Sequence, residues 1–150
     1  MHRGHDIWVV TRSENHIRQA RELGAAWAGC DFRGLPGKAD GAVLFAPSGE
    51  LVPPTLEALD RGGVCSIAGI HLSDVPRLKY SRHLYQEREL RSVTSNTRED
   101  LRTLLAEAAE AHIHPRTTAY ALADANRALL DMKHSNIEGT PVLVIATGEG

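Results

Sequence analysis

Short apolar runs alternate along the chain with segments in which apolar residues recur every three or four positions. Continuous runs are typical of strands buried on both faces of a parallel sheet, whereas the wider spacing is typical of amphipathic helices. The runs predict strands near residues 7–11, 42–46, 64–68 and 90–94, a short one near 27–30, and later ones over 117–121 and 142–145. The spacing predicts helices over 13–23, 52–61, 97–109 and 122–132. This alternation favours an α/β fold with a mostly parallel sheet and flanking helices.

The predicted helix ends carry residues that suit those positions. Ser13 offers the N-cap of the first helix, because its hydroxyl can accept a backbone N–H of the first turn. Leu59 is assigned to the apolar face of the second helix, which the glycine pair starting at Gly62 is expected to end. Thr97 and Asp100 resemble a capping box at the start of the third helix.

Composition narrows the class of protein. The chain has 150 residues, the length of one ordinary domain. Its formal net charge of −2 excludes a strongly basic nucleic-acid binder. It contains no apolar run long enough to cross a membrane and no signal-peptide core at the N-terminus. Its two cysteines, Cys30 and Cys65, form no CxxC pair and are predicted to be buried, so a reduced, cytoplasmic location is expected.

The loops that follow the predicted strands are the candidate ligand site. In parallel α/β sheets, ligands bind at the carboxyl ends of the strands, so small and polar residues there are expected to share one crevice. The segments in these positions are Thr11-Arg12-Ser13, Ala46-Pro47-Ser48, Gly69-Ile70-His71 and Ser95-Asn96-Thr97.

The first of these segments points to a phosphate. A strand that selects NAD ends in an acidic residue, which binds the ribose hydroxyls, and no such residue follows Val10. Arg12 and Ser13 instead suit the 2′-phosphate of NADP, through a guanidinium fork, a hydroxyl and the N–H groups of a helix start. The alternative is that Ser13 is only a helix cap and Arg12 only a solvated charge.

Metal and nucleophile sites are not predicted. The eight histidines lack an accompanying cysteine or carboxylate cluster, so no zinc site is expected within this chain. His71, Ser73 and Asp74 lie close in sequence, but no nucleophile elbow accompanies them. Neither GxGxxG nor a Walker phosphate loop occurs.

Several segments, in this order and spacing, resemble the zinc-type alcohol dehydrogenases of the medium-chain dehydrogenase/reductase superfamily. The resemblance runs from about residue 5 to 146, and its clearest segments are Val9-Val10-Thr11-Arg12, Ala20-Arg21-Glu22-Leu23-Gly24-Ala25, Leu56-x-x-Leu59-x-x-Gly62-Gly63, Ala68-Gly69-Ile70, Glu87-Arg88-Glu89-Leu90-Arg91-Ser92, Asn96-Thr97-Arg98-Glu99-Asp100 and Gly139-x-x-Val142-Leu143. It implies a Rossmann-like coenzyme-binding fold. The residues that it places around a dinucleotide are Thr11, Arg12 and Ser13 at the adenosine ribose, Ala46 and Pro47 beside the adenine, Gly69, Ile70 and His71 at the nicotinamide ribose and carboxamide, and Ser95 and Asn96 in the next loop.

The chain also departs from the pattern of that family. The glycine-rich turn, the first central strand and the catalytic domain with its zinc ligands would all lie upstream of Met1, and Thr140 stands where many members hold an arginine toward the pyrophosphate. The resemblance therefore implies a truncated dinucleotide-binding domain over 1–115 and a segment over 116–150 that would return to the catalytic domain. Without the first strand, the edges at 7–11 and 42–46 must pair with each other, stay bare or recruit another chain.

Two functions of different classes follow. The first is the coenzyme-binding part of an alcohol dehydrogenase, which binds NADP or else NAD and forms a homo-oligomer. The full-length enzyme would act on an alcohol or aldehyde, whereas this chain in isolation is expected to be inactive. The second is a non-catalytic nucleotide-binding or oligomerising module derived from the same fold. A receiver-like or flavodoxin-like domain lacks its expected acidic cluster or phosphate loop. No residue of this chain is assigned a catalytic role, no metal ligand is assigned, and neither a nucleic acid nor a membrane is expected as a partner.

Overall fold

The computed structural model describes residues 3–134, 136–137 and 139–145. The chain divides into two compact units, Met1–Asn96 and Thr97–Gly150. These units are structural clusters, so the division predicted at residue 115, which concerns the relation to a catalytic domain, stays a prediction.

The first unit contains five strands and three α-helices among the described residues. In chain order they are β1 (Trp8–Val10), α1 (Glu14–Glu22), β2 (Trp27–Gly29), β3 (Ala39–Leu44), α2 (Val52–Ala58), β4 (Leu59–Ile67), α3 (Tyr80–His83) and β5 (Glu89–Ser92). Short 3₁₀ turns occupy Phe32–Gly34 and Gly49–Leu51. Each predicted strand of this unit overlaps an observed one, and Val43 and Val64 both lie on strands, as the α/β prediction requires.

The strands form two parallel sheets rather than one. β1 pairs with β2, and β3, β4 and β5 pair in that order. In the described part of the chain no ladder joins β1 to β3. These two edges therefore do not pair with each other, which was one of the three predicted outcomes. The parallel arrangement and the flanking helices confirm the predicted fold class.

The core of the first unit lies between α2 and one face of the β3–β4–β5 sheet. Its fully buried side chains are Val52, Leu56, Leu59 and Cys65, and Leu44 completes the cluster. The opposite face is open: Val43 is 60% exposed and Phe45 is 75% exposed. The prediction that this strand is buried on both faces is therefore wrong, since α2 covers one face only.

The predicted second helix, over 52–61, is longer than the observed one. α2 ends at Ala58, and Leu59 already has extended backbone angles, so Leu59 belongs to β4. The sheet register then shifts between the pairs Ala39–Leu59 and Gly41–Val64, so β4 contains a bulge there. Gly62 lies in this bulge with a φ of +69°, a conformation that favours glycine, and its N–H donates to the carbonyl of Gln86.

The second unit contains α4 (Arg98–Glu110), β6 (Thr117–Ala121), α5 (Ala125–Lys133) and β7 (Thr140–Val144), with a 3₁₀ turn over Leu122–Asp124. β6 and β7 pair in parallel. The predicted capping box is confirmed, because the Thr97 hydroxyl accepts the N–H of Asp100 while the Asp100 carboxylate accepts the N–H of Thr97. Among the described residues, no helix is both long enough and apolar enough to span a bilayer.

Candidate functional site

The segment after β1 is shaped by a helix cap. Ser13 is the N-cap of α1, and its hydroxyl accepts the N–H of His16 at 3.3 Å. Thr11 remains tied to β2, since its N–H donates to the carbonyl of Gly29 at 2.9 Å. Arg12 is exposed and, within the described part of the chain, forms no hydrogen bond or ion pair. A positive, unpaired guanidinium thus stands beside the N-terminus of a helix, where an anion is favoured.

The ends of β3 and β4 meet closely at Gly69. A side chain at Gly69 would come within 3.2 Å of the carbonyl oxygen of Phe45 and 3.6 Å of that of Ala46. A side chain there would need the backbone at Phe45 to shift by a few tenths of an ångström, so glycine suits this close approach of the two strand ends. Of the predicted site residues, the structure brings Ala46 and Gly69 directly together.

A hydrogen bond and a close backbone contact join the loops that follow β3 and β4. The N–H of Gly49 donates to the Ser73 hydroxyl at 2.9 Å, and a side chain at Gly49 would overlap the carbonyl oxygen of Asp74. Sequence reasoning singled out neither Gly49 nor Ser73 in this way, although the Pro47-Ser48-Gly49 turn was a usable signal. This contact fixes the path of the loop that contains Ile70 and His71.

The remaining candidates project from the strand ends. Ile70 is 86% exposed, and His71, Ser95 and Asn96 are exposed as well. No hydrogen bond in the described ranges links these side chains to Arg12 or to one another. The structure therefore leaves their assignment to a dinucleotide as a prediction.

A cleft of about 840 Å³ separates β1 from β3. Its walls include Trp8 and Val10 on one side and Val43 on the other, with Leu51 and Thr55 from the region of α2. The cleft lies where the resemblance to the alcohol dehydrogenases implies a gap left by a missing strand. The two strand edges are unpaired across it in the part of the chain described here.

Groups able to bind a metal are scattered. Among the described residues, no set of three or more His, Cys, Asp or Glu side chains is arranged to hold a metal ion. Both cysteines are free thiols. Cys65 is buried, and burial raises the pKa of its thiol. Cys30 is exposed, which corrects the prediction that it is buried, because it lies just beyond the end of β2.

A buried histidine, which sequence reasoning missed, joins α2 to α3. His83 is 5% exposed, and its Nδ1 accepts the N–H of Lys79 at 2.8 Å. Its Nε2 therefore carries the hydrogen and donates to Glu57 Oε1 at 2.9 Å. Arg82 donates to the other carboxylate oxygen at 2.8 Å. Partial burial raises the pKa of Glu57, but the hydrogen bonds from His83 and Arg82 outweigh it and leave that pKa below 4.5.

The Glu57 contacts predict a pH-dependent contribution to stability. Glu57→Gln keeps the shape and removes the charge, and we expect it to lower the free energy of unfolding by about 1 kcal/mol at neutral pH. Because the folded-state pKa is depressed, the charge stabilises the fold fully above about pH 4.5 and this contribution is lost as pH falls through the folded-state value. Urea unfolding of wild type and variant at pH 7, 4.5 and 3 measures it.

Glu89→Gln is the matched control, because Glu89 pairs with Arg91 at a half-exposed position on β5. Its effect on the free energy of unfolding should stay within about 0.5 kcal/mol at neutral pH. A Glu57→Gln effect that remains constant down to pH 3 would contradict the proposed role of the charge.

Comparison with known proteins gives one close curated relative. The chain is 51% identical over 142 residues to the probable alcohol dehydrogenase AdhA of Mycobacterium tuberculosis. The match covers 95% of this chain but 41% of that protein, so the chain spans about two fifths of its relative's length. No protein-family model matches the sequence. This chain is related to the alcohol dehydrogenases. It matches their C-terminal part, which confirms the predicted resemblance.

Two solved structures show the same fold at low sequence identity. The CAD protein of Helicobacter pylori, in complex with NADP(H), aligns with a TM-score of 0.72 at 15% identity, over 92% of this chain and 40% of its own. The yhfP protein of Bacillus subtilis, with NAD bound, aligns with a TM-score of 0.71 at 19% identity, over 96% of this chain and 48% of its own. These likenesses confirm the predicted Rossmann-like α/β fold of this chain.

Proposed function

We propose that this chain is the coenzyme-binding part of an alcohol dehydrogenase, which transfers hydride between an alcohol or aldehyde and a nicotinamide dinucleotide. The observation that carries the proposal is the 51% identity to AdhA along nearly the whole chain. The two fold relatives support the coenzyme class, since one is described with NADP(H) and the other with NAD. The free thiols agree with a reducing compartment, and the cytoplasm is the proposed location.

The residues at the strand ends suit a dinucleotide. Arg12 offers an unpaired positive charge next to the start of α1, and Ser13 adds a hydroxyl. Gly69 leaves open backbone at the junction of β3 and β4, where Ile70 and His71 follow. In this proposal the adenosine end binds at Arg12 and Ser13, and the nicotinamide end is positioned by the loop after β4.

The part of this chain in the reaction is to bind and orient. When bound, the nicotinamide supplies the hydride acceptor or donor, and the chain's own residues hold it in register with the substrate. Zinc ligands are proposed to lie outside this chain, because its described residues bring together no three-donor cluster. Because the relative is described as a probable alcohol dehydrogenase, the proposed substrates are alcohols and the corresponding aldehydes.

We propose NADP over NAD because Arg12 replaces the acidic residue that would bind ribose hydroxyls. The test uses small probes, 2′,5′-ADP and 5′-AMP, followed by NMR of the backbone amides near α1. We expect 2′,5′-ADP to perturb the amides of Arg12 and Ser13 and to bind about tenfold more tightly than 5′-AMP, as one charge-assisted contact predicts.

Arg12→Ala should abolish this preference. Arg18→Ala is the matched control, because Arg18 is exposed on α1, the helix that follows Arg12, and pairs with Glu22. Equal binding of the two probes, or a preference that survives Arg12→Ala, would contradict the assignment of the 2′-phosphate to Arg12.

The second candidate function, a non-catalytic nucleotide-binding or oligomerising module, is favoured by the open sheet face at Val43 and Phe45. An exposed apolar face of this kind marks an association surface in many proteins. Self-association of the chain with no probe binding at Arg12 would favour this candidate over the coenzyme-binding part.

A further inference from the structure

The two ring nitrogens of His83 make contacts that require a neutral imidazole. Nδ1 accepts the N–H of Lys79 at 2.8 Å, and Nε2 donates to Glu57 Oε1 at 2.9 Å. The side chain is buried, so water cannot readily replace either partner. A second proton would have to bind Nδ1, where it would face the N–H of Lys79, and two donors form no hydrogen bond with each other. Protonation of this ring therefore removes the contact with Lys79.

The charged groups around His83 allow the protonated ring to form without unfolding the chain. A buried imidazolium is costly unless an opposite charge pairs with it, and the carboxylate of Glu57 already faces the ring. Partial burial raises the pKa of Glu57, but its hydrogen bonds from His83 and Arg82 hold that pKa below 4.5. Glu57 is therefore still ionised at pH values where histidines change charge, which lie between about pH 5 and 8.

The other charged groups near this contact are cations on three elements. Arg82, on α3 itself, donates to the second carboxylate oxygen of Glu57. Lys38, just ahead of β3, donates to the backbone carbonyl of Glu57, and Arg88, just ahead of β5, donates to the backbone carbonyl of Arg82. These cations disfavour a further positive charge, whereas the directly bonded Glu57 favours it. The contact with Lys79 is the one that cannot survive the added proton.

That contact holds one end of an irregular segment. Residues 74–79 form neither helix nor strand, and they connect Ser73 to α3. At one end, the Ser73 hydroxyl accepts the N–H of Gly49 at 2.9 Å. At the other end, the Lys79 N–H donates to His83, the last residue of α3. A helix of a single turn has little stability of its own, so α3 depends on such contacts.

We propose that His83 is a proton-sensitive switch, which holds residues 74–79 and the start of α3 in place when its ring is neutral and releases them when the ring gains a second proton. The same loop contains Ile70 and His71, which the proposed function assigns to the nicotinamide end. An effect of the switch on the coenzyme rests on that function. The release itself does not, and it can be measured without coenzyme.

The experiment follows the ring and the Lys79 amide of the whole chain between pH 8 and pH 5. Nitrogen-15 NMR of the imidazole reports the protonation of each ring nitrogen. Hydrogen exchange gives the protection factor of the Lys79 amide, which is corrected for the pH dependence of the intrinsic exchange rate. We expect a neutral ring with its hydrogen on Nε2 at pH 8. On acidification, the Lys79 amide should lose protection by at least about tenfold, with the same midpoint as the ring signal.

Two substitutions separate the two contacts of the ring. His83→Asn places an amide oxygen near the position of Nδ1 and does not titrate, so Lys79 protection should stay within about twofold across the pH range. His83→Gln reaches toward Glu57 and leaves the Lys79 N–H without its acceptor, so protection should be low at every pH. His71→Gln is the matched control, because His71 is an exposed histidine just ahead of the segment, and it should keep the wild-type response.

Three results would overturn the proposal. The first is a ring that stays neutral down to pH 5 in the folded chain. The second is a ring that gains its second proton while Lys79 protection is unchanged, which would leave His83 as a structural contact only. The third is a response that His71→Gln abolishes, which would assign it to a different histidine. Circular dichroism checks the folding of each variant, and the wild-type titration decides the matter even if a His83 variant unfolds.

Discussion

Replacement of Leu56 by alanine is expected to lower the free energy of unfolding of the first unit by about 2–5 kcal/mol. Leu56 is fully buried in α2, against the one covered face of the β3–β4–β5 sheet. The fully buried side chains around it are Val52, Leu59 and Cys65. Alanine would leave a cavity among these side chains. We expect the resulting loss of unfolding free energy to be near the middle of that range.

Urea unfolding followed by far-UV circular dichroism measures the loss. Leu23→Ala is the matched control, because Leu23 lies in the same unit, at the end of α1, and is 69% exposed. Its effect should stay within about 0.5 kcal/mol. A Leu56→Ala cost below about 1 kcal/mol would show that α2 does not hold the core of this unit.

The elements that sequence reasoning found correctly are those with strong local signals. Ser13 and the Thr97–Asp100 pair satisfy backbone N–H groups of their own helix, so their role depends on neighbours three residues away. The apolar runs around Val43 and Val64 are short and end at Pro47 and Gly69, and both features favour strands over helices. Local chemistry therefore sufficed for the order of the strands and of the longer helices, but the four-residue helix α3 was not predicted.

The misplaced boundary at Leu59 has a non-local cause. The Leu59 spacing continues the apolar face of α2, and only pairing with Ala39, twenty residues away, draws it into β4. The contact of His83 with Glu57 spans 26 residues, and no local pattern announces it. Tertiary contacts decided both features, and a single sequence does not reveal such contacts.

The candidate site was predictable only as a set of strand ends. Sequence order placed Thr11–Ser13, Ala46–Pro47 and Gly69–His71 at the carboxyl ends of parallel strands, and the strands are parallel as expected. The close approach of Gly69 to Ala46 depends on how far each strand runs past its last ladder bond, which composition does not specify. For the edges of β1 and β3, sequence reasoning left three outcomes open, and the described residues show no ladder between them.

Purified as the 150-residue chain, the protein is expected to show no turnover of primary or benzylic alcohols with NADP or NAD. Its described residues bring together no three metal ligands with an open position, which zinc-assisted hydride transfer needs. The sequence contains no glycine-rich turn to bind the pyrophosphate at a helix N-terminus. Each charge-assisted contact that is missing costs roughly 1.5–3 kcal/mol, or about tenfold or more in affinity.

A steady-state assay of nicotinamide absorbance, with zinc added and a full-length alcohol dehydrogenase run alongside, measures this expectation. Binding of 2′,5′-ADP at Arg12 without turnover would agree with a coenzyme-binding part whose zinc ligands lie elsewhere. Turnover above background that a chelator abolishes would contradict the expectation, because it would require a metal site built from the histidines of this chain. Turnover that survives the chelator would instead exclude the zinc-dependent mechanism, since the remaining chemistry would then rest on the chain's own side chains.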